Sequence, residues 1–181
     1  MKGLLLLSND IEDVEALATR ALLVRAGMIV TSVSLENTKN IITAFGLQLQ
    51  ADALMSEISV DEYDFLIIPG GKYVAKTIDK NTIIPSLAKK FANQEKLITA
   101  ICAGPRFLGR AGLLEDKNYT AFLRFESDIA NGKYQPHHKA LTDGRIITSR
   151  GAGTVYEFVY EIVKYLKDEK ASNALLEDIK Y

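Results

Sequence analysis

Lys96-Leu97-Ile98-Thr99-Ala100-Ile101-Cys102-Ala103-Gly104-Pro105-Arg106-Phe107-Leu108-Gly109 is the stretch that decides the fold. Lys96 to Ile101 reads as a buried strand, since apolar and β-branched side chains run almost without interruption. Ala103 to Gly109 opens a helix. Cys102, the only cysteine of the chain, stands at the sharp turn between the two. A thiol so placed is pushed out of the sheet, near backbone N–H groups and the positive end of a helix. Both effects favour thiolate, the nucleophilic and oxidisable form. A lone cysteine is also commonly a small buried core residue. The turn alone leaves both readings open.

Outward from this stretch, strand and helix patterns alternate. Leu4 to Leu7 predicts a first strand, and Asp10 to Ala26 an amphipathic helix stopped by Gly27. Met28 to Leu35 predicts a second strand. Ile41 to Phe45 and Leu47 to Leu49 flank Gly46 as a small hairpin. Asp64 to Ile68 is a buried strand ending in Pro69-Gly70-Gly71, and Asn81 to Ala92 a helix. Asn118 to Arg124 is a further short strand. Asp143-Gly144 turns between two strand-like pieces, the second Arg145 to Thr148. Thr154 to Tyr165 is an amphipathic helix with Thr154 as N-cap, and a polar helical tail follows. Alternation of this kind implies parallel pairing with right-handed crossovers. The central runs are apolar on both faces, as strands covered by helices on both sides are. The expected architecture is an α/β/α sandwich with an antiparallel hairpin added. Ligands gather at the carboxyl ends of such strands. The loop after the first strand, Pro69-Gly70-Gly71 and the Cys102 turn meet there.

A chain of 181 residues with no repeat or linker suits a single domain over 1–181. A net charge of -1 gives a nucleic-acid partner no electrostatic support. One cysteine excludes an internal disulfide and fits a reducing compartment. The four leucines Leu4 to Leu7 precede polar Asn9 and Asp10, too short a run for a signal sequence or membrane span. The expectation is a cytoplasmic protein that contacts no membrane.

Four acids, Asp10, Glu12, Asp13 and Glu15, crowd the start of the first helix, where negative charge complements the dipole. Glu12 and Asp13 need no other account. Glu15 lies one turn after Ile11 and shares a face with Leu22, which aims it at the sheet. A carboxyl group kept protonated by burial can hydrogen-bond a thiolate and shuttle a proton; a solvated helix-start acid is the alternative. Gly70 and Gly71 suit a tight turn, and their N–H groups, with that of Ala103, can also hold an oxyanion. No Walker loop or dinucleotide fingerprint appears, so no cofactor is expected. His137 and His138 fall in a polar loop and read as solvated; a Cys–His dyad requires one to fold back onto Cys102. No metal-ligand spacing is present. Arg150 is either a surface charge or a contact for a substrate carboxylate or phosphate.

These residues together resemble the ThiJ/PfpI superfamily, in the branch of the parkinsonism-associated thiol protein. The motifs are Asp10-Ile11-Glu12-Asp13-Val14-Glu15, Ile67-Ile68-Pro69-Gly70-Gly71, Ala100-Ile101-Cys102-Ala103-Gly104-Pro105 and Thr148-Ser149-Arg150-Gly151-Ala152-Gly153-Thr154. The resemblance covers nearly the whole chain. It implies a flavodoxin-like three-layer α/β/α sandwich of the glutamine amidotransferase-like class, and a homodimer. It implies Cys102 as an oxidation-prone nucleophile with Glu15 as the protonated carboxyl beside it. It also implies a cofactor-independent activity of glyoxalase or deglycase type on small reactive aldehydes, or a redox-sensing chaperone. An older association is with thiazole monophosphate biosynthesis. The sequence departs from relatives at three places. Ala103 stands where the protease branch carries histidine, which disfavours a peptidase. Phe122 stands where some nearer members place a histidine. Ala152 replaces the usual proline. The His-x-Glu of the amidotransferases is absent.

Overall fold

The computed structural model describes all 181 residues. In chain order, β1 (Lys2–Leu7) leads through a π-helical turn (Val14–Ala18) into α1 (Thr19–Arg25) and β2 (Ile29–Ser34). A hairpin of β3 (Asn40–Ile42) and β4 (Gln48–Gln50) precedes the short β5 (Ala53–Leu54). Then come β6 (Phe65–Ile68), α2 (Lys72–Thr77), α3 (Ile83–Asn93), β7 (Leu97–Ile101) and α4 (Pro105–Arg110). The last part holds β8 (Asn118–Tyr119), β9 (Lys133–Tyr134), β10 (Ala140–Asp143), β11 (Ile146–Ser149), α5 (Val155–Leu166) and α6 (Glu169–Asp178).

Seven strands form one sheet in the order β10-β11-β7-β6-β1-β2-β5. All its pairs are parallel except β10 with β11, the edge hairpin turned at Asp143-Gly144. From β1 the chain moves one way across the sheet to β2, and from β6 it moves the opposite way to β7. Right-handed crossovers in opposite directions place their helices on opposite faces. Accordingly α1 packs with α5, which also carries α6, while α3 packs with α4. The middle strands are sealed on both sides: every residue of β6 and β7, and Leu4 to Leu7 of β1, is buried. The direction of winding reverses between β1 and β6. Loops leaving that point splay apart and open a crevice.

The expected sandwich is therefore present, with three local corrections. The helix expected over Asp10 to Ala26 starts late, and its first turn is π-helical. That wider turn rotates Glu15 to the sheet side. The strand expected over Asn118 to Arg124 stops at Tyr119. Beyond it, the Thr120 N–H donates to Thr148 Oγ1 and the Phe122 N–H to the Cys102 carbonyl, so no ladder continues. Thr154 occupies the N-cap position of α5, but its hydroxyl donates to the Gly151 carbonyl 2.8 Å away instead of capping the helix. The six-residue α2 lies in a stretch with no expected element. No helix is long and apolar enough to cross a membrane.

A buried ion cluster anchors α4. Asp128 has no side-chain exposure, and its two oxygens accept from Nε of Arg106 and Nε of Arg110. Arg106 also lies 5.0 Å over the Phe125 ring. The loop carrying Asp128 thus holds the helix that follows Cys102. Asp128→Ala leaves the largely buried Arg106 without a partner, and the expected cost is about 3 kcal/mol of stability, read as a lowered denaturant midpoint.

Candidate active site

Cys102 adopts a left-handed backbone, φ 65°, immediately after β7. An L-residue there is strained by about 1 kcal/mol. Two hydrogen bonds of 2.9 Å hold it: its N–H donates to the Ser149 carbonyl, and its carbonyl accepts from the Phe122 N–H. The elbow turns a half-buried thiol out of the sheet and toward the crevice.

Glu15 approaches from the π-helical turn after β1 and is only 1% exposed. Its N–H donates to Glu12 Oε2 at 2.7 Å, and its Oε2 accepts from the Gly70 N–H at 2.8 Å. Its Oε1 is buried without a full hydrogen bond; the Cys102 thiol and the Ala152 N–H are the polar groups nearby. Burial pushes the Glu15 carboxyl up to about 7, reinforced by the charge of Glu12 and opposed by the hydrogen bonds from Cys102 and Gly70.

Gly70 and Gly71 are required for different reasons. A side chain on Gly70 would meet Glu15 Oε2 at 2.7 Å, Cys102 Cβ at 2.8 Å and the Ala103 N–H nitrogen at 2.9 Å. Gly71 has φ 127° and pairs with Ile11 in an isolated antiparallel bridge. Gly70 and Gly71 are thus not equivalent oxyanion donors. The Gly70 N–H is engaged by the carboxylate of Glu15, which corrects the expectation that it holds substrate oxygen. The Gly71 and Ala103 N–H groups donate to no carbonyl in the chain.

The elbow alone favours thiolate, and the surroundings modify that expectation. Burial pushes the Cys102 thiol up, an ionised Glu15 pushes it further, and the Ala103 N–H acts against both. Protonation of Glu15 removes the repelling charge and offers the sulfur a donor, which favours thiolate. Ionisation of either group opposes ionisation of the other.

The remaining candidates separate cleanly. His137 and His138 are exposed in the loop before β10, and His138 hydrogen-bonds through its backbone only. Arg150 is half-buried, donates to the Pro136 carbonyl at 3.3 Å, and lines an open cleft with Phe122, Gly151, Ala152, Gly153 and Thr154. No group of three or more His, Cys, Asp and Glu side chains is arranged to hold a metal ion. Two supporting residues escaped the sequence reading. Glu12 braces the turn bearing Glu15; its spacing of three residues is the available signal. Tyr73 is buried, stacks on Phe107, and donates its hydroxyl to the Pro69 carbonyl at 2.8 Å, fixing the glycine loop from behind. Nothing in the sequence around Tyr73 marks it.

Fold and site together define a flavodoxin-like α/β protein whose cysteine stands on an elbow at the switch point of the sheet. The chain belongs to the DJ-1/PfpI family, whose model matches residues 1–165. It is 32% identical over 169 residues to the deglycase PfpI of Pyrococcus furiosus, spanning 92% of this chain and 100% of that protein. It is 31% identical over 178 residues to the glutathione-independent glyoxalase DJR-1.2 of Caenorhabditis elegans, spanning 97% of this chain and 94% of that one. Oxidized DJ-1 of Toxoplasma gondii superposes with a TM-score of 0.89 at 28% identity, over 99% of this chain and 98% of that one.

The buried carboxyl gives a signed pH dependence. Folded, Glu15 holds its proton to about pH 7; unfolded, it releases it near 4.5. Between those values the native state binds the extra proton, so stability falls as pH rises and is level above. Glu15→Gln is expected to remove about 2 kcal/mol of this fall, seen in urea midpoints between about pH 5 and pH 8. Identical profiles for variant and wild type would place Glu15 in water.

Proposed function

We propose that this protein converts small α-oxoaldehydes to 2-hydroxy acids, using Cys102 as nucleophile and no cofactor. The observation that carries the proposal is the buried Glu15 carboxyl set against the elbow thiol. Glu15 accepts the thiol proton, and the sulfur adds to the aldehyde carbon. The carbonyl electron pair moves to oxygen, which takes that proton, giving a hemithioacetal. The N–H groups of Gly71 and Ala103, free of any backbone carbonyl, hold the oxygen in this reading. A proton then leaves the sulfur-bearing carbon for Glu15, the hydroxyl proton of that carbon passes to the neighbouring oxygen, and Glu15 returns its proton to the neighbouring carbon. One carbon is oxidised and the next reduced, so the electrons stay within the substrate. Water cleaves the resulting thioester, releasing the hydroxy acid and the thiol. The names of the relatives, a deglycase and a glyoxalase, support this class of chemistry. Arg150 lines the cleft where a product carboxylate would lie. Apolar Val14 and Leu17 are exposed beside the hairpin residues Phe45 and Leu47, tied together by the Thr43–Asp13 hydrogen bond; this supports pairing of two copies across that face.

With methylglyoxal as substrate, Cys102→Ser is expected to fall to the uncatalysed rate, and Glu15→Gln to lose roughly 100-fold or more in kcat. Full turnover by Cys102→Ser would end the proposal.

A second reading has its own observation. Phe122 carries no ionisable group, so the only proton carrier at the sulfur is Glu15. A weakly catalytic thiol beside the Ala103 N–H and a carboxyl suits stepwise oxidation by peroxide to a sulfinic acid, a redox sensor or chaperone switch. In this case intact mass after mild peroxide treatment shows two added oxygens on Cys102, lost in Cys102→Ser. Oxidation scattered over the methionines would dismiss it.

A further inference from the structure

We propose that Phe122 selects the substrate, so that the site prefers α-oxoaldehydes bearing an aryl group over methylglyoxal. This rests on the thiol–aldehyde reading above. Phe122 is 61% exposed, an uncommon state for a large ring beside a buried reactive group. Its N–H is tied to the carbonyl of Cys102 at 2.9 Å, so the ring is leashed to the nucleophile itself. The two side chains face one another across Gly151. The point where a Cβ would stand on Gly151 lies 3.8 Å from Phe122 Cδ2 and 3.9 Å from Cys102 Sγ. The floor of the cleft is Gly151-Ala152-Gly153, nearly bare backbone, and a Cβ on Gly153 would meet nothing within 4 Å. The cleft holds about 420 Å³, within the range of small-molecule sites.

An aldehyde carbon bonded to Sγ carries its neighbouring carbonyl, and the substituent of that carbonyl, out over Gly151. A methyl substituent stops short of the ring. An aryl substituent reaches it and packs in an offset stack, covering apolar surface that is otherwise in water. Phenylalanine has no proton to transfer, so its contribution is contact alone. The reaction is unchanged: phenylglyoxal and water give mandelate, as methylglyoxal and water give lactate.

Initial rates with phenylglyoxal and methylglyoxal test this in wild type and Phe122→Ala, a substitution at an exposed position that leaves the core intact. The kcat/KM ratio is expected to favour phenylglyoxal in the wild type and to fall about tenfold in the variant. An unchanged ratio overturns the proposal and leaves the general function standing. A second measurement needs no turnover: alkylation of Cys102 by N-benzyl iodoacetamide against iodoacetamide, each relative to glutathione. A benzyl advantage lost in Phe122→Ala supports the aromatic contact even if neither aldehyde is consumed, in which case the thiol–aldehyde function alone fails. The absence of any benzyl advantage overturns the contact.

Discussion

One backbone N–H, that of Gly70, joins the three segments of the site. It donates to Glu15, while the missing side chain lets the backbone pass between that carboxyl group, the Cys102 Cβ and the Ala103 nitrogen. The sheet makes this meeting possible. β1, β6 and β7 are consecutive neighbours, so their carboxyl ends lie about 5 Å apart. A residue in the first helical turn after β1 and a residue directly beyond β7 then converge on the loop beyond β6.

The electrostatics follow from that packing. Glu15 is taken out of water with one carboxyl oxygen bonded to the Gly70 N–H and the other left without a partner. Two acids in one dry space cannot both be ionised cheaply, so ionisation of either raises the cost of ionising the other. Glu12 adds a second negative charge beside Glu15 and favours keeping the proton there. The strained φ of Cys102 is tolerable because both of its backbone groups are bonded, to Ser149 and Phe122. The Arg106–Asp128–Arg110 cluster fixes the helix beyond it. The environment of this cysteine is thus set by surrounding order; the helix behind it is only six residues long and adds little dipole.

Much of this was legible in the sequence, for physical reasons that differ by element. The central strands announced themselves because Leu4 to Leu7, Phe65 to Ile68 and Leu97 to Ile101 are apolar on both faces, a pattern that only burial on both sides explains. The elbow was readable because a strand ran directly into a helix at Cys102. The orientation of Glu15 was half legible. Spacing from Ile11 pointed it inward, but the π-helical turn that completes the rotation has no compositional mark. The division of labour between Gly70 and Gly71 was hidden, since it depends on which amide a distant carboxyl reaches. The strand over Asn118 to Arg124 failed for a similar reason: Thr148 and Cys102, both remote in sequence, capture the amides that a ladder would have used.

The closeness of packing at the centre also governs how such a protein can change over generations. Alanine at Gly70 would collide with the acid and the nucleophile together, and alanine at Gly104 would stand 2.5 Å from the Ile68 carbonyl. Single steps at these positions force the backbone around the site to move. The rim behaves differently. Phe122 and Ala152 sit where space is open, so substitutions there cost little and alter what the sulfur meets. A lineage built on this scaffold can therefore explore new chemistries through its margin while its heart stays frozen.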